Sequence, residues 1–126
     1  MHNPSFENDY ATFWIEAGVV YFVYKAKTSI DLNAAKQILR DRITFQGEVD
    51  YPIYCDIRGM RRADKEARDF LAKEGSSYTK AVAIIVDSPM TKIIGNFYLG
   101  LNKPTAPTKM FTEKQEALEY LKQFIR

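Results

Sequence analysis

Cysteine, histidine and charge of one sign are all scarce in this 126-residue chain. It carries one cysteine, Cys55, and one histidine, His2. A single cysteine cannot close an internal disulfide, so nothing in the sequence asks for an oxidising compartment. A lone histidine two residues from the amino terminus cannot centre a Ser-His-Asp triad in a folded core. Lys and Arg number 18 against 16 Asp and Glu, whereas a dedicated nucleic-acid binder carries a concentrated basic surplus; no nucleic-acid partner is expected. No apolar run approaches the roughly 18 residues of a membrane-spanning helix. The polar start Met1-His2-Asn3-Pro4 lacks the apolar centre of a signal peptide, and a cytoplasmic setting is expected. The chain also lacks a Gly-rich phosphate loop, an HExxH pair and a CxxC pair. The expectation is therefore no metal, no cofactor and no catalytic set.

What is present describes an ordinary globular domain. Apolar residues make up 46% and charged residues 27% of the chain, away from the composition of disordered proteins. The length suits one domain, which can bury roughly two-thirds of its unfolded-state surface. Residues 1–9 are assigned to a flexible tail and residues 10–126 to a single domain. Tyr10 to Ile15 and Val19 to Lys27 read as strands joined by the tight turn Glu16-Ala17-Gly18, an antiparallel hairpin. A helix follows from near Asp31, capped by Ser29 or Asp31, with Leu32, Ala35, Leu39 and Ile43 on one face and Gly47 at its end.

Tyr51 to Ile57 is a short apolar strand, and about Asp64 to Glu74 a second helix with Ala63, Ala67, Phe70 and Leu71 on its apolar face, closed by Gly75. Ala81 to Val86 is apolar throughout, the mark of a parallel strand covered on both faces. Ser88-Pro89 starts a third helix, which Gly100 can stop. Thr108 to Phe111 is a last strand, and Thr112 with Gln115 a capping box for a final helix that buries Ala117, Leu118, Leu121, Phe124 and Ile125. The order β-β-α-β-α-β-α-β-α implies an α/β fold. We expect a mixed, mostly parallel sheet of about five strands with four helices and the first strand as an antiparallel edge.

This order, together with Tyr54-Cys55-Asp56-Ile57-Arg58-Gly59, Ala67-Arg68-Asp69, Ala81-Val82-Ala83, residues 96–104 and Lys109-Met110-Phe111-Thr112, resembles the STAS domains of anti-sigma-factor antagonists and sulfate-transporter tails. It looks most like an uncharacterised bacterial branch of small STAS-like proteins, over about residues 10–126. In the antagonists a strand ends in Asp-hydrophobic-Ser-Gly. The next helix opens on Asp-Ser-Ser-Gly, whose second serine a partner kinase phosphorylates. Asp56, Gly59 and Asp64 match that pattern, while Lys65 and Glu66 stand where the two serines would be. Glu66 puts one negative charge where a phosphoserine carries about −1.5 to −2. The resemblance thus implies a regulatory module without the usual phospho-switch.

The stretch Arg58 to Asp69 interleaves Arg58, Arg61, Arg62, Lys65 and Arg68 with Asp64, Glu66 and Asp69. It follows the carboxyl end of a strand, where ligands bind in open α/β sheets, and it opens a helix, whose amino end offers N–H groups to anions. It reads either as a charged docking surface, to which Asp56 would contribute, or as a solvated face with internal ion pairs. Ser88 and Thr91 start a helix at the same edge, as a cap or as a contact site. Asn96 beside Gly95 inside a helix implies close packing or a polar contact. Asn102 and Lys103 before Pro104 are turn residues or rim contacts. Phe97, Tyr98, Leu99 and Leu101 leave the third helix apolar nearly all round, which points to a homodimer contact or an apolar pocket. The leading expectation is a protein-interaction module whose protein partner the sequence does not name. A carrier of an apolar or nucleotide-like ligand near the third helix comes second, and an enzyme using Asp56 and Asp64 last.

Overall fold

In a computed structural model the chain is described over residues 5–97, 99 and 105–125. Three strands open it: β1 (Ser5–Glu7), β2 (Ala11–Glu16) and β3 (Val19–Tyr24). After β4 (Thr28–Ile30) comes α1 (Leu32–Gln46), followed by β5 (Tyr51–Asp56), β6 (Met60–Ala63) and α2 (Lys65–Glu74). The remainder is β7 (Thr79–Ile85), α3 (Pro89–Phe97), β8 (Thr108–Phe111) and α4 (Lys114–Lys122). A six-stranded sheet runs β1-β2-β3-β5-β7-β8, antiparallel from β1 to β3 and parallel from β3 to β8. The expected α/β class, the four helices and the mostly parallel sheet are all present.

Two expectations are corrected and one feature is added. Ser5–Glu7, inside the stretch assigned to a tail, form an edge strand on β2, so the first predicted strand is not the edge. Phe6 stacks on Phe13 at 5.7 Å, Glu7 pairs with Lys25 at 2.6 Å, and Asn8 donates to Asp41 of α1 at 2.9 Å. Secondly, beside the main sheet, whose six strands agree with the expected five or so, β4 and β6 form a separate parallel ribbon that the sequence does not announce. Finally, α4 begins one residue later than the Thr112 capping box requires. Its N-cap is Glu113, whose side chain makes no capping bond.

Local chemistry explains the other boundaries. Ala17 and Gly18 both take positive φ, +50° and +80°, as a two-residue hairpin turn between right-twisted strands demands. Asp31 caps α1 by accepting from the Ala34 N–H at 2.8 Å, while Ser29 belongs to β4. Gly47 closes α1 in the left-handed conformation, its N–H donating to the last carbonyls of the helix.

Side chains alternate across the sheet with period two. Val20, Phe22, Ile53, Ile84 and Val86 face α1, and Ile94 of α3 packs into the same cluster. Val19, Tyr21, Tyr54, Ala81, Ala83 and Ile85 face α4, packing on Ala117 and Leu121. Trp14 covers the flank of that second face, stacked on Tyr21 at 5.1 Å with the rings 2° from parallel. Gly95 allows α3 to lie against β8, since a Cβ there would fall 2.6 Å from Met110 Sδ. The close packing is at Gly95 alone, since Asn96 is exposed.

Gly59 is held more tightly. A Cβ on it would sit 2.5 Å from the Lys25 carbonyl oxygen and 2.7 Å from that of Tyr24, both backbone atoms with no rotamer to yield. Its own carbonyl accepts the Thr28 N–H at 3.1 Å, which locks β4 to β6. We predict that Gly59→Ala lowers stability by about 1–3 kcal/mol, read as a lower urea midpoint at unchanged slope.

Candidate functional site

Since β3, β5 and β7 run parallel, their carboxyl ends meet at one edge of the sheet, the side where open α/β sheets bind ligands. Tyr24-Lys25, Asp56 to Gly59 and Asp87 to Thr91 converge there. Asp56 is 6% exposed, and its carboxylate is fully engaged by one residue. It accepts from the Arg58 backbone N–H at 2.9 Å and from the guanidinium at 3.0 Å to Nε and 2.7 Å to Nη2. A two-pronged, charge-assisted contact of this kind is among the stronger hydrogen-bonded pairs. The hydrogen bond to Asp56 raises the pKa of the Arg58 guanidinium, which Asp87 nearby raises further. Burial raises that of the Tyr54 phenol, with Asp56 adding to the effect.

Ser88 and Thr91 cap α3 reciprocally. The Thr91 N–H donates to Ser88 Oγ at 3.1 Å, while Thr91 Oγ1 accepts from the N–H groups of Asp87 and Ser88, each at 3.1 Å. The arrangement is a capping box with threonine in the usual place of glutamate, and Thr91 is 1% exposed. Beyond this edge, Arg61 and Arg62 are exposed on β6. Arg62 pairs with Asp64 at 3.0 Å and Lys65 with Asp69 at 2.8 Å. Glu66 is exposed in the first turn of α2. Arg68 turns inward, donating from Nη1 to the Ala63 carbonyl at 2.6 Å.

Asp56, Arg58, Ser88 and Thr91 therefore gather at the sheet edge, with Arg61, Arg62, Asp64 and Glu66 beside them on β6 and α2. Asn96 is exposed on α3. Asn102, Lys103, Tyr98 and Leu101 lie outside the described residues, as do the Gly100 helix stop and the side chain of Phe97. Helix α3 packs against β6 and leaves Met90 48% and Ile93 54% exposed. Among the described residues no three potential metal ligands cluster, and no helix is long and apolar enough to cross a membrane.

Arg42 and Gln46 belong to no motif that the sequence presents. Both are buried in α1. Arg42 donates to Gln46, and at 3.0 Å each to the carbonyls of Gly75 and Ser77. Gln46 donates to the carbonyls of Val49 and Tyr78 at 2.9 Å. Their positions continue the Ala35–Leu39 stripe at helical spacing, and two polar residues on an apolar stripe were the available signal. Cys55 is half-buried in a central strand covered by helices, and it lines a cavity beneath those helices.

Two predictions follow from this geometry. Thr91→Val keeps the side-chain volume but orphans the Asp87 and Ser88 N–H groups, and should cost about 1–3 kcal/mol in chemical denaturation. Burial pushes the Cys55 thiol from an ordinary 9.0 up to about 12. At pH 8 that lowers its thiolate fraction roughly a thousandfold, so native Cys55 should resist alkylation that the urea-unfolded chain undergoes readily. Because the unfolded thiol ionises first, its contribution to stability is intact below pH 9 and declines as pH rises towards 12.

The comparisons with known proteins agree with this architecture. A crystal structure from Shewanella loihica PV-4, of an uncharacterised DUF3478-family protein described as having a SpoIIAA-like fold, superposes with a TM-score of 0.51 at 14% identity. The match covers 95% of this chain and 92% of that one, and at this identity it shows the fold alone. No curated protein matches the sequence. The model of the family DUF7793, a domain of unknown function, matches residues 13–125, and the chain belongs to that family.

Proposed function

We propose that this domain is a non-catalytic regulatory module that docks a protein partner through the face formed by α3 and β6. The observation carrying this reading is the exposure of Met90 and Ile93 on α3, beside the strand that presents Arg61 and Arg62 to solvent. An apolar centre with a charged rim is the composition of a binding surface. The basic rim suits a partner whose contact surface is apolar with acidic residues around it.

The state of the neighbouring polar groups supports the same reading. The Asp56 carboxylate is held by Arg58, and the hydroxyls of Ser88 and Thr91 are committed to the α3 cap. These groups serve the fold at the edge where chemistry would otherwise be expected. Lys65 and Glu66 occupy the exposed first turn of α2, where the antagonists carry their phosphorylated serine, so this reading includes no serine switch at that position. A cytoplasmic setting belongs to the same proposal, supported by the single cysteine.

Truncated or charged hot-spot residues typically cost 2 kcal/mol or more of binding, about thirtyfold in Kd. Ile93→Asp should therefore abolish capture of a specific protein by the immobilised chain while leaving the circular-dichroism melt unchanged. Identical capture by wild type and variant would overturn the assignment of this face. So would light scattering that shows a homodimer which Ile93→Asp dissociates, because the face would then be covered by a second copy.

A further inference from the structure

The two faces of the sheet are packed to different depths. On one, Ala81, Ala83 and Ala117 are fully buried, and these small side chains bring α4 close to β7 and β5. On the other, α1, α2 and α3 stand off and leave a cavity of about 110 Å³ between themselves and strands β3, β5 and β7. Cys55 and Val82 form part of its floor, with Ile38, Leu71 and Ile94 opposite. Protein interiors rarely leave voids larger than a water molecule. One water needs roughly 10–15 Å³ of such space, while an apolar cavity of about 150 Å³ stays dry and holds a benzene. The space here is far nearer the second case.

The charge in the wall is of one sign. Arg42 and Arg68 line the cavity, and no acidic residue does among the described residues. Arg42 is 4% exposed and is fixed to the α2–β7 connection through the Gly75 and Ser77 carbonyls, so its charge is a permanent part of the site. Arg68 is half-buried in the first turns of α2 and reaches both cavity and surface. Ligand sites of this kind pair a mostly apolar wall with a few polar groups that fix orientation. A guanidinium selects a planar carboxylate by its two parallel donors.

We propose that this cavity binds a small carboxylic acid with an apolar body of about benzene size. The body lies between Cys55 and Val82 on the sheet and Ile38 and Ile94 on the helices, and the carboxylate lies at Arg68. This site does not depend on the partner-docking reading, since it lies beneath α3 rather than on its exposed side.

The test is a titration of the full chain with benzoate, and with toluene as the neutral isostere, followed through the methyl resonances of Ile38, Ile84 and Ile94 and by thermal melting. Benzoate should shift these methyls saturably, raise the melting temperature, and bind about tenfold or more tightly than toluene. Arg68→Met, which keeps an apolar stem, should reduce benzoate to the affinity of toluene. Ala63→Leu fills the cavity and should remove both responses. If that variant fails to fold, Cys55→Leu takes its place. The proposal is overturned if neither compound gives a saturable shift, if toluene binds as well as benzoate, or if the benzoate response survives filling of the cavity.

Discussion

When parallel strands advance across a sheet in one direction, right-handed crossovers force every connecting helix onto the same face. From β3 through β5 and β7 to β8 this sheet advances without reversal, so α1, α2 and α3 crowd one side and only α4 remains for the other. Much of the molecule follows from that asymmetry. The lone helix must seal a whole face, and it does so with alanines that let it approach. Aromatic residues such as Trp14, Phe111, Tyr120 and Phe124 extend its cover. On the crowded side three helices share a surface that they cannot all approach closely, and the space between them is the cavity.

The large elements were legible because their signals are local. Ala81 to Val86 announces a strand buried on both faces, and β7 is flanked by β5 and β8. Asp31, Gly47 and Ser88 act at the helix ends where their chemistry puts them. The ribbon of β4 and β6 was invisible for a physical reason. Three or four residues with Arg61 and Arg62 exposed show no alternation of polarity, and their pairing is decided by distant backbone, through contacts such as the Gly59 carbonyl on the Thr28 N–H. At Thr112 the capping motif was present in the sequence, yet the helix starts at Lys114. The cavity could not be read at all, because it arises from the distance between layers and not from any one segment.

The candidate residues show a similar division. Asp56 and Gly59, which carry part of the resemblance to the antagonists, have structural tasks here. Asp56 fixes the turn after β5 by binding the Arg58 N–H and side chain, and Gly59 permits that turn to touch the Lys25 carbonyl. The motif thus describes how the chain leaves the sheet, and says less about chemistry than its charged residues suggest. Further along the chain, after β6, α2 and β7, α3 turns Met90 and Ile93 outward and contributes Ile94 and Gly95 to the cavity from its inner side.

The single tryptophan occupies an instructive place. Trp14 lies nearly parallel on Tyr21, on the side of the sheet that α4 covers. Coupled, rigidly oriented aromatic rings give strong near-ultraviolet dichroism, and the dichroism fades once the ring pair can reorient. The optical signature of this ring pair therefore reports the packing of the sheet face it shares with α4, while events among the other three helices take place on the far side of the sheet.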